Sequence, residues 1–188
     1  MKLVKLGLAS IIAAGALYAG TYNVDRSHSN VGFKVKHLMI SNVTGNFDNF
    51  SGTIEYDEKT KTITGLTGKI VVDSINTDNA KRDGHLKSAD FFDAANHPDL
   101  TFKLDTIKGD QAYGVLTIKG VSKKASLDFE LNGTVTDPWG NKRVGLELEG
   151  KINRKDYGLN WNKALEAGGV VVGEKVKLHI ELEGILAK

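Results

Sequence analysis

Ala125–Val135 reads ASLDFELNGTV. Ala125, Leu127, Phe129, Leu131, Gly133 and Val135 fall on one phase, and Ser126, Asp128, Glu130 and Thr134 on the other. Such alternation places a strand with one face on a core and the other in water. Asn132-Gly133 is a hairpin signal. The phase runs straight through it, so the strand is read as continuing, with the turn at Asp137-Pro138-Trp139-Gly140-Asn141.

That choice sets the reading of the flanking chain. Before it, Leu100, Phe102 and Leu104 share a phase, as do Leu116 and Ile118. After it come Val144, Leu146, Leu148, Gly150 and Ile152, then Val176, Leu178, Ile180 and Leu182. Toward the N-terminus, Val31, Phe33 and Val35 alternate, as do Leu66, Gly68, Ile70 and Val72. Within Val43–Tyr56 the phase changes between Phe47 and Phe50, which predicts a bulge near Asp48-Asn49 that bends the strand. Asn23–Arg26 is a short first strand or a lead-in. About eight main strands joined by short turns make an antiparallel sheet, and closing it removes two sticky edges. The expected fold is an all-β, eight-stranded up-and-down barrel.

One segment breaks the alternation. Asp78–Pro98, DNAKRDGHLKSADFFDAANHP, spaces Leu86, Ala89 and Phe92 three apart on one helix face. Asp78 or Asn79 can cap it, Asp83 and Lys87 form an i,i+4 pair, and His97-Pro98 ends it. We read it as a lid across one end of the barrel.

The chain has 188 residues, 25 Lys plus Arg, 23 Asp plus Glu and no cysteine. Met1–Ala19, with Lys2, Lys5 and an apolar run from Leu6 to Leu17, reads as a secretory leader cleaved after Ala19. The run is short for a membrane span, which needs about 20 residues; an uncleaved anchor is the alternative. Residues 20–188 then form one domain, formally neutral once Lys2 and Lys5 are gone, in the periplasm or outside the cell. No basic patch suggests nucleic acid. Without cysteine there is no disulfide, lipoprotein attachment or thiol chemistry.

The second phase of the strands carries Lys34, Lys36, Asp128, Glu130, Glu147, Glu149, Lys177, Glu181 and Glu183. These charges face water in a barrel with an apolar interior; an outer-membrane barrel reverses the order. The helical insertion and the lack of aromatic girdles favour the apolar interior. Eight strands enclose room for packed side chains or one small ligand. Glycines Gly68, Gly133, Gly150 and Gly32 favour a hollow over a filled core. Its ligand would be apolar, with each buried CH₂ contributing about 0.8 kcal/mol relative to water. Against a bilayer the exchange is close to thermoneutral, which suits a carrier.

A series of short stretches stands out in order along the chain: Asp25–Ser29 leading into Val31-Gly32-Phe33, then Val35–Leu38, Phe50-Ser51-Gly52, Lys81-Arg82-Asp83 and His85–Asp93. Asp137–Gly140, Ile152–Leu159, Trp161-Asn162, Glu166–Gly169 and Val172-Gly173 complete the set. In these stretches the chain resembles the YceI-like family of bacterial periplasmic polyisoprenoid-binding proteins. The resemblance implies a lipocalin-like barrel, an apolar tunnel for a long isoprenoid chain, often a homodimer, and no agreed catalytic site. Membrane contact is at most transient.

The candidate lipid-lining set is therefore Val31, Phe33, Val35, Phe47, Leu66, Ile70, Val72, Leu86, Phe92, Leu100, Phe102, Leu104, Leu116, Ile118, Leu127, Phe129, Leu131, Leu146, Leu148, Ile152, Leu178 and Ile180. Candidate portal and head-group residues are His28, Arg82, Arg154, Tyr157 and Trp161; for Asn153–Asn162 plain structural closure is the competing reading.

No metal or catalytic cofactor is expected. His28 and His37 lie on opposite phases, and His85 and His97 lack metal-motif spacing. Asp83, Asp90 and Asp93 suit capping and pairing better than acid–base work. No nucleophile elbow, phosphate loop or dinucleotide fingerprint occurs. The function expected is a non-enzymatic carrier or store for a quinone- or polyprenol-like lipid. The alternative is a secreted enzyme or stress-related interaction protein with a solid core.

Overall fold

A computed structural model describes residues 19–166 and 168–188. The leader reading falls almost wholly outside them; Ala19, the expected cleavage residue, opens the first strand. The strands are β1 (Ala19–Val24), β2 (Asn30–His37), β3 (Ser41–Phe47), β4 (Phe50–Asp57), β5 (Thr62–Val71), β6 (Ile75–Asn76), β7 (Asp99–Lys108), β8 (Gln111–Ile118), β9 (Val121–Thr136), β10 (Lys142–Asn153) and β11 (Val172–Leu186). One α-helix, α1 (Ala80–Lys87), sits between β6 and β7.

These segments make eight passes of the chain. β1 and β2 are one strand kinked at Arg26–His28, β3 and β4 one strand kinked at Asp48-Asn49, and β5 and β6 one strand kinked at Val72–Ser74. The first pairs with the second through both halves, β2 with β3 and β1 with β4. The second pairs with the third likewise, β4 with β5 and β3 with β6. β7 to β11 follow in order, and β11 returns to both β2 and β1, closing the barrel. All pairings are antiparallel. The expected eight-stranded lipocalin-like barrel is the fold, and the bend expected at Asp48-Asn49 is one of three lying side by side.

Backbone groups freed at the kinks find partners across them, as buried polar groups must. Asp48 N donates to Ser74 O (3.0 Å), Asn49 N to Ser74 Oγ (2.9 Å) and Val71 N to Asn49 O (2.9 Å). Asp25 caps the turn at Arg26–His28 by accepting from Ser27 N (3.1 Å).

The strand Val121–Thr136 does run through Asn132-Gly133, and the turn lies where expected, closed by Asp137 N to Asn141 O (2.9 Å). One detail differs. The β9–β10 register shifts between Gly145 and Leu146, leaving Asn132 as the extra residue of a bulge, with Gly133 at φ +116°. A bulge flips the alternation, so Val135 faces outward and is 63% exposed.

The lid is also shorter than expected. α1 ends at Lys87, Ser88 caps it, and residues 88–97 form turns with Asp93 at φ +53°. Ala89 is exposed. Lys87 bonds Asp73 (3.4 Å) rather than Asp83, which accepts from Thr77 N (3.0 Å) and Thr77 Oγ1 (2.5 Å).

Two apolar clusters fill the barrel. One, at the end holding Ala19 and the Asp137–Asn141 turn, includes Tyr22, Ile54, Leu104, Leu146 and Leu148. The other, under α1, includes Phe47, Val72, Ile75, Leu100, Ile118, Tyr157 and Leu159. The outward phase carries the charges, with Lys34, Asp128, Glu130, Glu149, Lys177 and Glu181 exposed. This is the reverse of an outer-membrane barrel.

Arg143 ties the first end together. Its guanidinium bonds Asp137 (2.7 Å), Asp25 (3.0 Å) and Glu183. The Ser27 hydroxyl, then His28 and Arg143, hold the Asp25 carboxyl well below the usual range. Burial alone would raise Asp137, but bonds from Arg143, Asn141 and Trp139 outweigh it and lower it well below its ordinary value. Carboxyls depressed in the folded state stabilise it fully above their unfolded pKa of about 3.9, and that stabilisation fades as pH falls below it. In urea melts across pH, Arg143→Met should therefore be less stable than the parent by a constant margin above about pH 5, and the gap should narrow below about pH 4.

Candidate functional site

α1 hangs over the barrel mouth on Thr77, which is 4% exposed. Arg82 Nε donates to Thr77 Oγ1 (2.7 Å) and Arg82 Nη2 to Thr77 O (2.7 Å). Asn79 caps the helix by accepting from Arg82 N (3.0 Å). The opposite wall of the mouth is the connection from Asn153 to Val172. Arg154, 4% exposed, clamps it by donating to Gly173 O (2.9 Å), Val172 O (3.3 Å) and Leu159 O. Burial pushes the Arg154 pKa down, against a smaller upward pull from Glu174. Asn162 clamps the far side of this loop, donating to Val172 O (2.7 Å) and accepting from Val172 N (3.1 Å).

Between these walls lies a cavity of about 460 Å³. Phe33, Val35, Val43, Leu86, Phe91, Trp161, Val171 and Val172 give it an apolar lining, and Lys36, His37, Asn79, Lys81, Arg82 and His85 add polar groups. No carboxylate lines it among the described residues. His85 stands edge-on to Phe91 (5.0 Å) and Trp161 (4.9 Å), and Phe91 lies 5.2 Å from Trp161. Asp90 accepts from the His85 ring (3.0 Å) and fixes its orientation.

Deeper in the barrel is a second, smaller void of about 60 Å³. Val31, Leu66, Gly68, Ile70, Phe102, Leu116, Leu127, Leu148, Leu178 and Ile180 line it. A Cβ on Gly68 would meet nothing within 4 Å. Val24, Phe102, Leu178, Ile180 and Leu182 pack against both core clusters yet keep accessible surface. Phe33 lines the mouth cavity and packs on Phe47 (5.8 Å), which in turn meets Phe92 (6.1 Å).

The largest concavity, about 730 Å³, is elsewhere, on the outer face of β2, β3, β9, β10 and β11. Lys34, Asp128, Glu149, Lys151, Lys177 and His179 line it, so mixed charge suits it to water rather than an apolar chain.

The expected lining residues thus divide three ways. Phe33, Val35 and Leu86 line the mouth, and Val31, Leu66, Ile70, Phe102, Leu116, Leu127, Leu148, Leu178 and Ile180 line the inner void. Phe47, Val72, Phe92, Leu100, Leu104, Ile118, Phe129, Leu131, Leu146 and Ile152 belong to the packed clusters. Of the four glycines expected to leave room, Gly68 alone borders open interior. Gly150 accommodates the Leu127 side chain, Gly133 forms the bulge and Gly32 lies on the outer groove.

Of the portal residues, Arg82 and Trp161 line the mouth cavity and the other three do not. His28 is exposed at the first kink, bonded to Asp25 (2.9 Å). Arg154 is a buried clamp. Beyond Asp128↔Glu149 the β9–β10 pairing ends, and Tyr157 and Leu159 pack with Val121, Ala125 and Ile152 where these strands part. The closure reading of Asn153–Asn162 holds for Arg154 and Tyr157. His85, Phe91, Lys36 and Lys81 also line the mouth, and all four lie within the stretches Val35–Leu38, Lys81-Arg82-Asp83 and His85–Asp93. Among the described residues, metal-ligand distances occur in Asp25–His28–Glu183, which Arg143 already occupies, and in Glu147–Glu149–His179 on the outer face, where Glu149 is exposed and the other two half-buried.

The YceI-like domain family matches residues 22–184. A UPF0312 protein of Staphylococcus aureus (strain N315) is 40% identical over 163 residues, 86% of this chain and 95% of that protein. The YceI protein of Campylobacter jejuni has the same fold at TM-score 0.68 and 35% identity, covering 87% of this chain and 96% of its own. A polyisoprenoid-binding domain from Saccharophagus degradans, implicated in plant cell wall breakdown, aligns at TM-score 0.68 and 18% identity, over 88% of this chain and 98% of that domain. The chain belongs to the YceI-like family.

Phe33→Ala should enlarge the mouth cavity that Phe33 lines. Because Phe33 is half-buried, the cost should be about 2 kcal/mol, below the roughly 3–5 of a fully buried Phe. Chemical denaturation checks the cost, and a larger maximal uptake of an apolar fluorophore checks the added volume.

Proposed function

We propose that this protein is a periplasmic carrier or store for a long-chain isoprenoid lipid, polyprenol- or quinone-like. The observation that carries the reading is the mouth cavity: an apolar pocket whose charged lining residues, among those described, are Lys36, Lys81 and Arg82, with a second apolar void inside the barrel. An isoprenoid tail fits the apolar wall. An electron-rich head, whether phosphate or carbonyl oxygen, fits the cationic rim. The Saccharophagus degradans domain supports the reading at the level of the fold, because this barrel serves there as a polyisoprenoid-binding domain. The leader-like Met1–Ala19 supports the compartment.

Transfer suits such a barrel energetically. A tail leaving a bilayer is already out of water, so the pocket need only match the membrane, and small differences in affinity decide the direction of exchange. No covalent step enters this reading. The groups nearest the cavity are engaged in positioning: Arg82 on Thr77, His85 on Asp90.

Protein purified from periplasm, extracted and analysed by lipid mass spectrometry, should carry an isoprenoid. Protein that is repeatedly empty and takes up no isoprenoid when offered overturns the proposal. Gly68→Leu should fill the inner void, raise stability by about 0.5–2 kcal/mol as cavity-filling changes do, and cut the amount of lipid carried. Unchanged loading in that variant would remove the inner void from the binding path.

A further inference from the structure

The turn joining β2 to β3 is built from the wrong residues for its shape. Leu38 and Met39 hold φ values of +50° and +64°, and Ile40 N closes the turn on His37 O (3.2 Å). Two consecutive residues with positive φ form a tight hairpin turn in which Asn-Gly is the favoured pair. A side chain with a Cβ and γ-branching is strained there. Local stability therefore does not account for Leu-Met at this position. Beside it, Ile40 is 83% exposed and Met39 52% exposed. Two apolar side chains, Met39 and Ile40, are thus held out at the tip with Leu38 half-buried beside them, against the usual polar chemistry of turns.

The tip's position gives it a use. Leu38 N donates to Val171 O (2.8 Å), so the hairpin is fastened to the loop whose Val171 and Val172 line the mouth cavity. The strand leading into it supplies Lys36 and His37 to the same cavity, with Lys81 and Arg82 across the opening. Lys163, exposed on the adjoining loop, adds another cation; of the exposed acids nearby in the chain, Asp90 is bonded to His85 (3.0 Å) and Glu174 to Lys155 (2.6 Å), and Asp78 and Glu166 lie on the flanking turns. Apolar side chains at a tip beside a cationic rim make the pattern of a shallow peripheral membrane contact, in which insertion and attraction to anionic head groups act together. A stable protein interface needs some 20–30 residues a side, far more than this tip offers.

We propose that the Leu38–Ile40 hairpin docks the barrel mouth onto an anionic lipid bilayer, setting the cavity against the membrane for lipid exchange. The exchange part rests on the carrier reading above; the docking itself does not.

The test is co-sedimentation of full-length mature protein with phosphatidylglycerol–phosphatidylethanolamine vesicles, with phosphatidylcholine vesicles as the comparison. Binding is expected to the anionic vesicles and to weaken with added salt. Met39→Asn with Ile40→Ser leaves the cavity lining untouched and suits the turn better. It should keep the fold and the isoprenoid load and lower vesicle binding by about tenfold or more, the factor expected when apolar side chains are no longer withdrawn from water. Ile40→Trp should bind more tightly and shift its emission to the blue on vesicles. Absent binding, or binding indifferent to both variants, overturns the proposal. So does loss of a dimer in the Ser variant with vesicle binding unchanged, because the tip is then a contact between two copies. Vesicle binding that depends on the tip in protein never found with an isoprenoid upholds docking and removes the carrier reading.

Discussion

Closure of the sheet through β11 is the constraint on which the rest of this molecule depends. β11 pairs along β10 on one edge and, on the other, with β2 through Val172–Glu181 and with β1 through Gly184–Leu186. One long strand therefore spans both halves of a kinked partner. Once eight passes are closed, the circumference is set and the interior has a fixed width. The chain can fill that width or leave it open, but it cannot collapse it, because backbone hydrogen bonds hold the wall apart.

Filling is uneven along the axis. Tyr22, Tyr56 and the leucines of β10 pack the end away from the helix, and the Arg143 network covers it with charge. Toward the mouth, aromatic rings replace aliphatic chains. Phe33, Phe47, Phe91, Phe92 and Trp161 meet at ring distances of 5.2 to 6.1 Å. Large rings anchored on a wall and a helix span a space without packing it to the density that interdigitated leucines achieve. The result is a barrel packed at one end and hollowed at the other, with Lys36, Lys81 and Arg82 lining the hollow.

The legible part of this arrangement was the alternation. Leu127, Leu146 and Leu148 face inward because a strand has a period of two, and that period holds in any sheet. Val135 departed from it because a single extra residue at Asn132 reverses all positions beyond it, and a bulge has no signature stronger than a glycine. The helix stopped at Lys87 because the turns around Ser88 and Asp93 capture its last carbonyls, a tertiary arrangement that a three-residue spacing does not reveal. Arg154 and Tyr157 looked like portal residues by type. One is a buried clamp for three carbonyls and the other packs where β9 and β10 part, roles set by neighbours distant in sequence.

What the amino-acid order determined alone is the inside and outside of each strand, the number of passes and the place of the single helix, since each follows from local periodicity and turn chemistry. The mouth was decided only in three dimensions. Lys36, Arg82, His85, Trp161 and Val172 come from four separate stretches and meet there because the barrel closes and α1 is tied down at Thr77. Whether an inward residue borders a void or a packed neighbour was likewise settled by packing, as Gly68 and Gly150 show. Both glycines sit on the inward phase, and what fills the space beside each is a side chain from another strand or nothing at all.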